Sequence, residues 1–140
     1  MAKYTAIPLQ TVEDGANVLL LDAVRCKNGY AIHSNGSGIV TLRGITNNCY
    51  ARYRVTFGGN VAIPEGGTVA PITIALTVNG EALGTATAIV TPAAAEEFWN
   101  IFIADEIDVP CGCCVTVSVR NIGDEPIDVQ NGNLIVTRIA

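Results

Sequence analysis

The stretch ITIALTVNG, residues 72–80, sets Ile72, Ile74, Leu76 and Val78 in strict alternation with Thr73, Ala75 and Thr77, then ends on Asn79-Gly80. A period of two sends alternate side chains to opposite faces of a strand, so one face of this segment is apolar and the other is not. Asn-Gly readily takes the positive φ angles of a tight hairpin, so the chain is expected to reverse there. Few folds accept such a unit repeated along a whole chain. Here it repeats: in ARYRVTF, Ala51, Tyr53, Val55 and Phe57 oppose Arg52, Arg54 and Thr56.

Helical periodicity is absent, and β-branched runs broken by Gly, Asn and Pro recur from end to end. Strands are expected near 4–11, 17–21, 30–33, 39–42, 49–57, 70–78, 85–90, 97–107, 113–121, 127–129 and 133–139. Turn signals separate them at Asn35-Gly36, Gly58-Gly59, Glu65-Gly66-Gly67, Asn79-Gly80, Gly123-Asp124 and Asn131-Gly132. All six prolines fall at run ends or in candidate edge strands, where a missing N–H costs nothing. Only AAAEE, at 93–97, has the composition of a helical turn. The expected architecture is all-β: a two-sheet antiparallel jelly-roll sandwich. A length of 140 residues suits one domain, taken as 1–140 with a short N-terminal arm at about 1–8.

Composition narrows the function. Charged residues make up 15% and apolar residues 49%, yet no apolar run nears the roughly 18 residues that span a bilayer. The longest, at 18–24 and 89–95, are broken by Asp22 and Pro92. Eight scattered basic residues against thirteen acidic ones offer no nucleic-acid surface. The opening MAKYTAIPLQTVEDG has one lysine and no apolar signal core, so synthesis in the cytoplasm without a leader is expected.

Two strands are apolar on both faces. EFWNIFIA places Phe98 and Phe102 opposite Trp99, Ile101 and Ile103, and NLIVTRI places Leu134 and Val136 opposite Ile135 and Ile139. An antiparallel strand of this kind has something packed on each side. One side is the domain core, and the other is most simply a second copy of the chain.

The five cysteines include Cys111, Cys113 and Cys114 within CGCC. Parity turns Cys113 and Cys49 inward and Cys114 outward, with Cys111 ahead of the strand. Zinc sites favour C-x-x-C pairs whose thiolates converge on one ion, and only His33 could add an imidazole, so no metal is expected. A thioredoxin-like centre would need C-x-x-C at a helix start, which this chain lacks. Buried thiols plus one bridge, Cys26–Cys49 or Cys111–Cys49, fit better.

No catalytic constellation stands out. His33 is the single histidine, without an evident nucleophile and carboxylate beside it. Ser37 lies in a turn rather than a nucleophile elbow, and the sequon at Asn35 has no secretory route. Asp105, Glu106 and Asp108 read as a solvated rim rather than a glycosidase pair. Asp124, Glu125 and Asp128 lack the calcium-loop pattern, and the glycine-rich stretches lack the lysine and helix that cradle phosphate.

The order GSGIVTLRG, YARYRVTFGGNVAIP, ITIALTVNGEALGTATAIVTP and VTVSVRNIGDEPIDVQNGNLIVTRIA resembles the trimeric jelly-roll domains of the tumour-necrosis-factor and complement-head type. The likeness spans about residues 9–140 and is closest to bacterial versions that cap collagen-like spore-surface fibres. The opening MAKYTAIPLQTV and the string GIVTLRGIT also resemble small capsid-associated proteins of gut Firmicutes phages and prophages. A Gly-X-Y stalk is missing, which favours the phage likeness over the spore surface. The resemblance implies a homotrimer with Phe98 or Trp99, Phe102, Leu134 and Val136 among core and interface residues. It implies a non-enzymatic virion protein without cofactors, a capsid decoration or head-fibre knob partnered by a major capsid protein or another virion protein. The alternative is an adhesion head on a bacterial or spore surface or a tail fibre. It would bind a surface glycan or receptor through loops 35–38, 58–67 and 123–126. Neither nucleic acid nor membrane is an expected partner.

Overall fold

The computed structural model describes residues 2–25, 30–34, 36–112 and 114–140. Eleven strands run in order: β1 (Ala2–Ala6), β2 (Gln10–Val12), β3 (Asp22–Arg25), β4 (Ala31–Ile32), β5 (Val40–Arg43), β6 (Tyr50–Ala62), β7 (Ile72–Val78), β8 (Glu81–Val90), β9 (Trp99–Pro110), β10 (Cys114–Asn121) and β11 (Ile127–Arg138). Among the described residues there is no helix. One sheet has the order β3-β1-β11-β6-β9, with β2 also paired to β11, and the other has β4-β5-β10-β7-β8. Every paired neighbour is antiparallel, as in a jelly roll.

The core lies between the sheets and is built by parity. Ala51, Tyr53, Val55, Phe57 and Val61 of β6 are all buried, as are Ile101, Ile103, Ile107 and Val109 of β9. Ile72, Ile74 and Leu76 of β7 and Val115, Val117 and Val119 of β10 come from the facing sheet. Asn79 at φ 53° and Gly80 at φ 84° form the two-residue hairpin between β7 and β8, with Val78 opposite Glu81. Thr85 Oγ1 donates to Asp105 Oδ2 at 2.7 Å, tying the edge strands of the two sheets together.

Several segments differ from the sequence expectation, each for a local reason. Residues 58–62, expected to turn at Gly58-Gly59, continue β6. The missing side chain of Gly59 lets Gly132 Cα come within 3.2 Å of the position a Cβ would take. Residues 127–138 form one strand rather than two. Between Gln130↔Asn60 and Asn133↔Gly58 the β11 ladder carries one extra residue, with Asn131 at φ 57°. This bulge reverses the side-chain alternation, so Ile127 and Val129 before it and Leu134 and Val136 after it all face the core. Residues 2–6, where an arm at about 1–8 and a strand from 4 were both expected, are a strand between β11 and β3. Residues 17–21 are not a named strand: Asn17 bridges Arg120, Val18 and Leu21 donate to Val119 O and Thr5 O, and the strand follows at Asp22. Residues 93–97 turn without a helix, and Glu96 at φ 62° donates its N–H to Ile63 O.

Candidate functional site

The outer face of the six-stranded sheet is assembled by the register of β9, β6 and β11. Its central row runs Phe102, Gly58, Asn133 and Thr5, and the next row runs Ala104, Thr56, Ile135 and Lys3. Phe102 is 67% exposed on this surface, directly opposite Gly58. Towards the start of β6 the same face becomes charged. Arg52 makes a two-pronged pair with Asp108, Nε to Oδ1 at 2.7 Å and Nη2 to Oδ2 at 3.1 Å, and Arg54 reaches Glu106 at 3.3 Å. The guanidinium hydrogen bond holds the Asp108 carboxyl below its usual range and raises Arg52 in return. Arg54, Ala104, Asp105 and Glu106 line a shallow hollow of about 350 Å³ at the charged end of this face.

The residues expected in the core or at an interface separate into two groups. Leu134 and Val136 are buried in the core of the subunit itself, whereas Phe98, Trp99 and Phe102 are exposed. Phe98 and Trp99 stand at the entry to β9, where the Trp99 indole N–H donates to Glu97 Oε1 at 3.1 Å. The acids read as a solvated rim are engaged: Asp105 by Thr85 and by the Glu106 N–H, and Glu106 and Asp108 by arginines. The two basic partners were visible in the sequence as outward residues of β6. Their pairing depends on β6 and β9 lying side by side, which the sequence does not state.

The thiols lie elsewhere. Cys49 and Cys111 are exposed rather than buried, because β6 begins at Tyr50 and leaves both beyond the end of the core. Cys114 opens β10 on its exposed side, in register with Arg43. Cys26 and Cys113 lie outside the described residues, as does Asn35 of the sequon. Among the described residues no three His, Cys, Asp or Glu side chains gather as a metal site.

The other candidates have structural roles. His33 Nε2 donates to Ser37 O at 2.8 Å and its ring lies 4.6 Å from that of Tyr4. Ser37 Oγ accepts the Ile39 N–H at 3.1 Å, as a turn serine does. Asp128 accepts from Thr11 Oγ1, a bond between β11 and β2.

No family model matches the chain, and no curated protein matches it in sequence. Solved structures do. Eiger TNF from S. frugiperda superposes at a TM-score of 0.70 with 14% identity, covering 99% of this chain and 91% of that one. The chain has the jelly-roll fold of tumour-necrosis-factor and complement-head domains. Rabbit GITRL aligns at a TM-score of 0.54 and 15% identity over 100% of this chain and 95% of its own. The globular domain of zebrafish complement 1qA aligns at 0.53 and 8% identity, over 96% and 94%. At these identities the likeness establishes the fold alone.

Proposed function

We propose that the protein is a non-enzymatic structural module that works as a homotrimer, a knob decorating a phage capsid or tipping a head fibre. The observation that carries the trimer is Phe102, a large apolar ring left 67% exposed on the outer sheet face, with Ile135 in the adjoining row. Burying a side chain of this size stabilises by about 1.5–3 kcal/mol, and a closed trimer does so three times. The engagement of Asp105, Glu106, Asp108 and His33 in structural bonds supports a role without catalysis. The virion assignment rests on the phage-like opening and GIVTLRGIT string. A decoration protein that binds only the assembled shell stabilises that shell by mass action.

Native mass spectrometry of the purified protein, with and without reductant and chelator, tests the assembly. A trimer that survives both treatments is expected; a monomer, or a species that falls apart with chelator, would overturn it. Immunogold labelling of particles released from cells carrying the gene tests the location. Label on heads or head fibres is expected, and label confined to the cell surface would reassign the protein to an adhesin.

A further inference from the structure

We infer that Cys49 and Cys111 are the two halves of a redox staple that clamps edge strand β9 to β6. Tyr50 and Pro110 are the last register partners of the β6·β9 ladder, so Cys49 and Cys111 occupy the rung just beyond it. One bond of that rung is formed in the backbone: the Cys111 N–H donates to Cys49 O at 2.9 Å. Directly opposed residues of an antiparallel ladder have Cα atoms about 4.5–5.5 Å apart, and Cys49 and Cys111 continue that opposition. That separation falls inside the roughly 4.4–6.8 Å window of disulfides.

Side chains on one rung share a face. Cys49 and Cys111 continue the inward sets Ala51, Tyr53 and Ile107, Val109, but they emerge past the end of the core, where both thiols are free and exposed. The Cys111 thiol donates to Thr46 O at 3.1 Å, so the loop before β6 reaches this thiol. Cys114 is placed differently, on β10 of the opposite sheet and opposite Arg43.

The oxidant is a small-molecule disulfide such as oxidised glutathione. One protein thiolate attacks a glutathione sulfur, breaking its S–S bond and releasing one glutathione thiol. The second protein thiolate then attacks the mixed disulfide at the protein sulfur and releases the other glutathione. Two protein thiols lose their protons, one protein S–S bond forms, and both protons leave with two reduced glutathione molecules. The new bond ties chain positions 62 residues apart, counted as 111 − 49. It secures the end of β9 three residues from the Arg52–Asp108 pair. As an edge strand, β9 has a ladder partner on one side only.

The test reduces the full-length protein, incubates it with oxidised glutathione, blocks remaining thiols with iodoacetamide and maps the linked peptides by mass spectrometry. A species lighter by two hydrogens, with one peptide pair joining Cys49 to Cys111, is expected. Cys49→Ser and Cys111→Ser abolish that species, and Cys114→Ser keeps it. A link from Cys49 or Cys111 to Cys26, Cys113 or Cys114 overturns the inference. So does glutathione that stays attached to either residue without ring closure. Mapping the unsubstituted protein decides the matter even if a serine variant folds poorly.

Discussion

Phe102 stands directly across the β6·β9 ladder from Gly58, its Cδ2 3.8 Å from where a Gly58 side chain would begin. The absence of a side chain at 58 leaves one flank of the ring open to solvent. Beyond Gly58 the row continues with Asn133 and Thr5, and the ring stays 67% exposed. The result is an exposed apolar ring beside a position without a side chain.

Phe102→Glu is therefore expected to yield a monomer with an unchanged fold. Native mass spectrometry reads the loss of assembly, and far-ultraviolet circular dichroism reads the retained sheet content. A trimer that persists in this variant would remove Phe102 from the interface.

Leu134→Ala separates core from surface. Leu134 is fully buried between the sheets, and removing its branched side chain there costs about 2–5 kcal/mol through lost transfer energy and a residual cavity. Urea unfolding of the variant is expected to show a lower midpoint whether or not the protein assembles. An unchanged midpoint would mean that the bulge does not direct Leu134 into the core in solution.

Alternation made the all-β class and most of the core legible in the sequence. Ile72–Leu76 and Ala51–Phe57 face the core as the pattern of two dictates. The pattern failed where glycine or left-handed asparagine changes the count. Asn131-Gly132 has the composition of a hairpin but serves as a bulge, because β6 runs past it and pairs on both sides. Gly58-Gly59 likewise stays in its strand. Parity also misplaced Cys49, since a periodic pattern does not reveal where the core ends. The arginine–carboxylate ladder was illegible for another reason: it joins residues 52 to 56 positions apart. Such pairs follow from sheet order, and sheet order is set by the whole fold.

Asn121 shows how the loops at one end are held. Its side chain is fully buried, its Nδ2 donors are shared among Val12 O at 3.3 Å, Glu13 O at 3.4 Å and Glu125 O at 2.9 Å, and its Oδ1 accepts the Gly123 N–H. Asn121→Ala leaves these groups without their partner, at a cost of about 1–3 kcal/mol. Amide hydrogen exchange is expected to speed up at Gly123 and its neighbours and to stay slow in β6. Uniform acceleration across both sheets would show that Asn121 supports the global fold rather than this loop.

The Arg52–Asp108 pair gives the acid limb of stability a specific contributor. Asp108 titrates below its unfolded value because the Arg52 guanidinium hydrogen-bonds its ionised form. A depressed carboxylate pKa stabilises the fold above the unfolded value of about 3.9, and that contribution is lost as pH falls through the folded value. Arg52→Gln is expected to raise the Asp108 midpoint towards the ordinary value, as read by the side-chain carboxyl carbon shift in a pH titration. The stability difference between the two proteins should be present at neutral pH and vanish in strong acid. High salt should shrink it as well, because both side chains are exposed to solvent. An Asp108 midpoint that does not move in Arg52→Gln would show that the two-pronged contact does not persist in solution, and with it the charged end of the candidate face would lose its order.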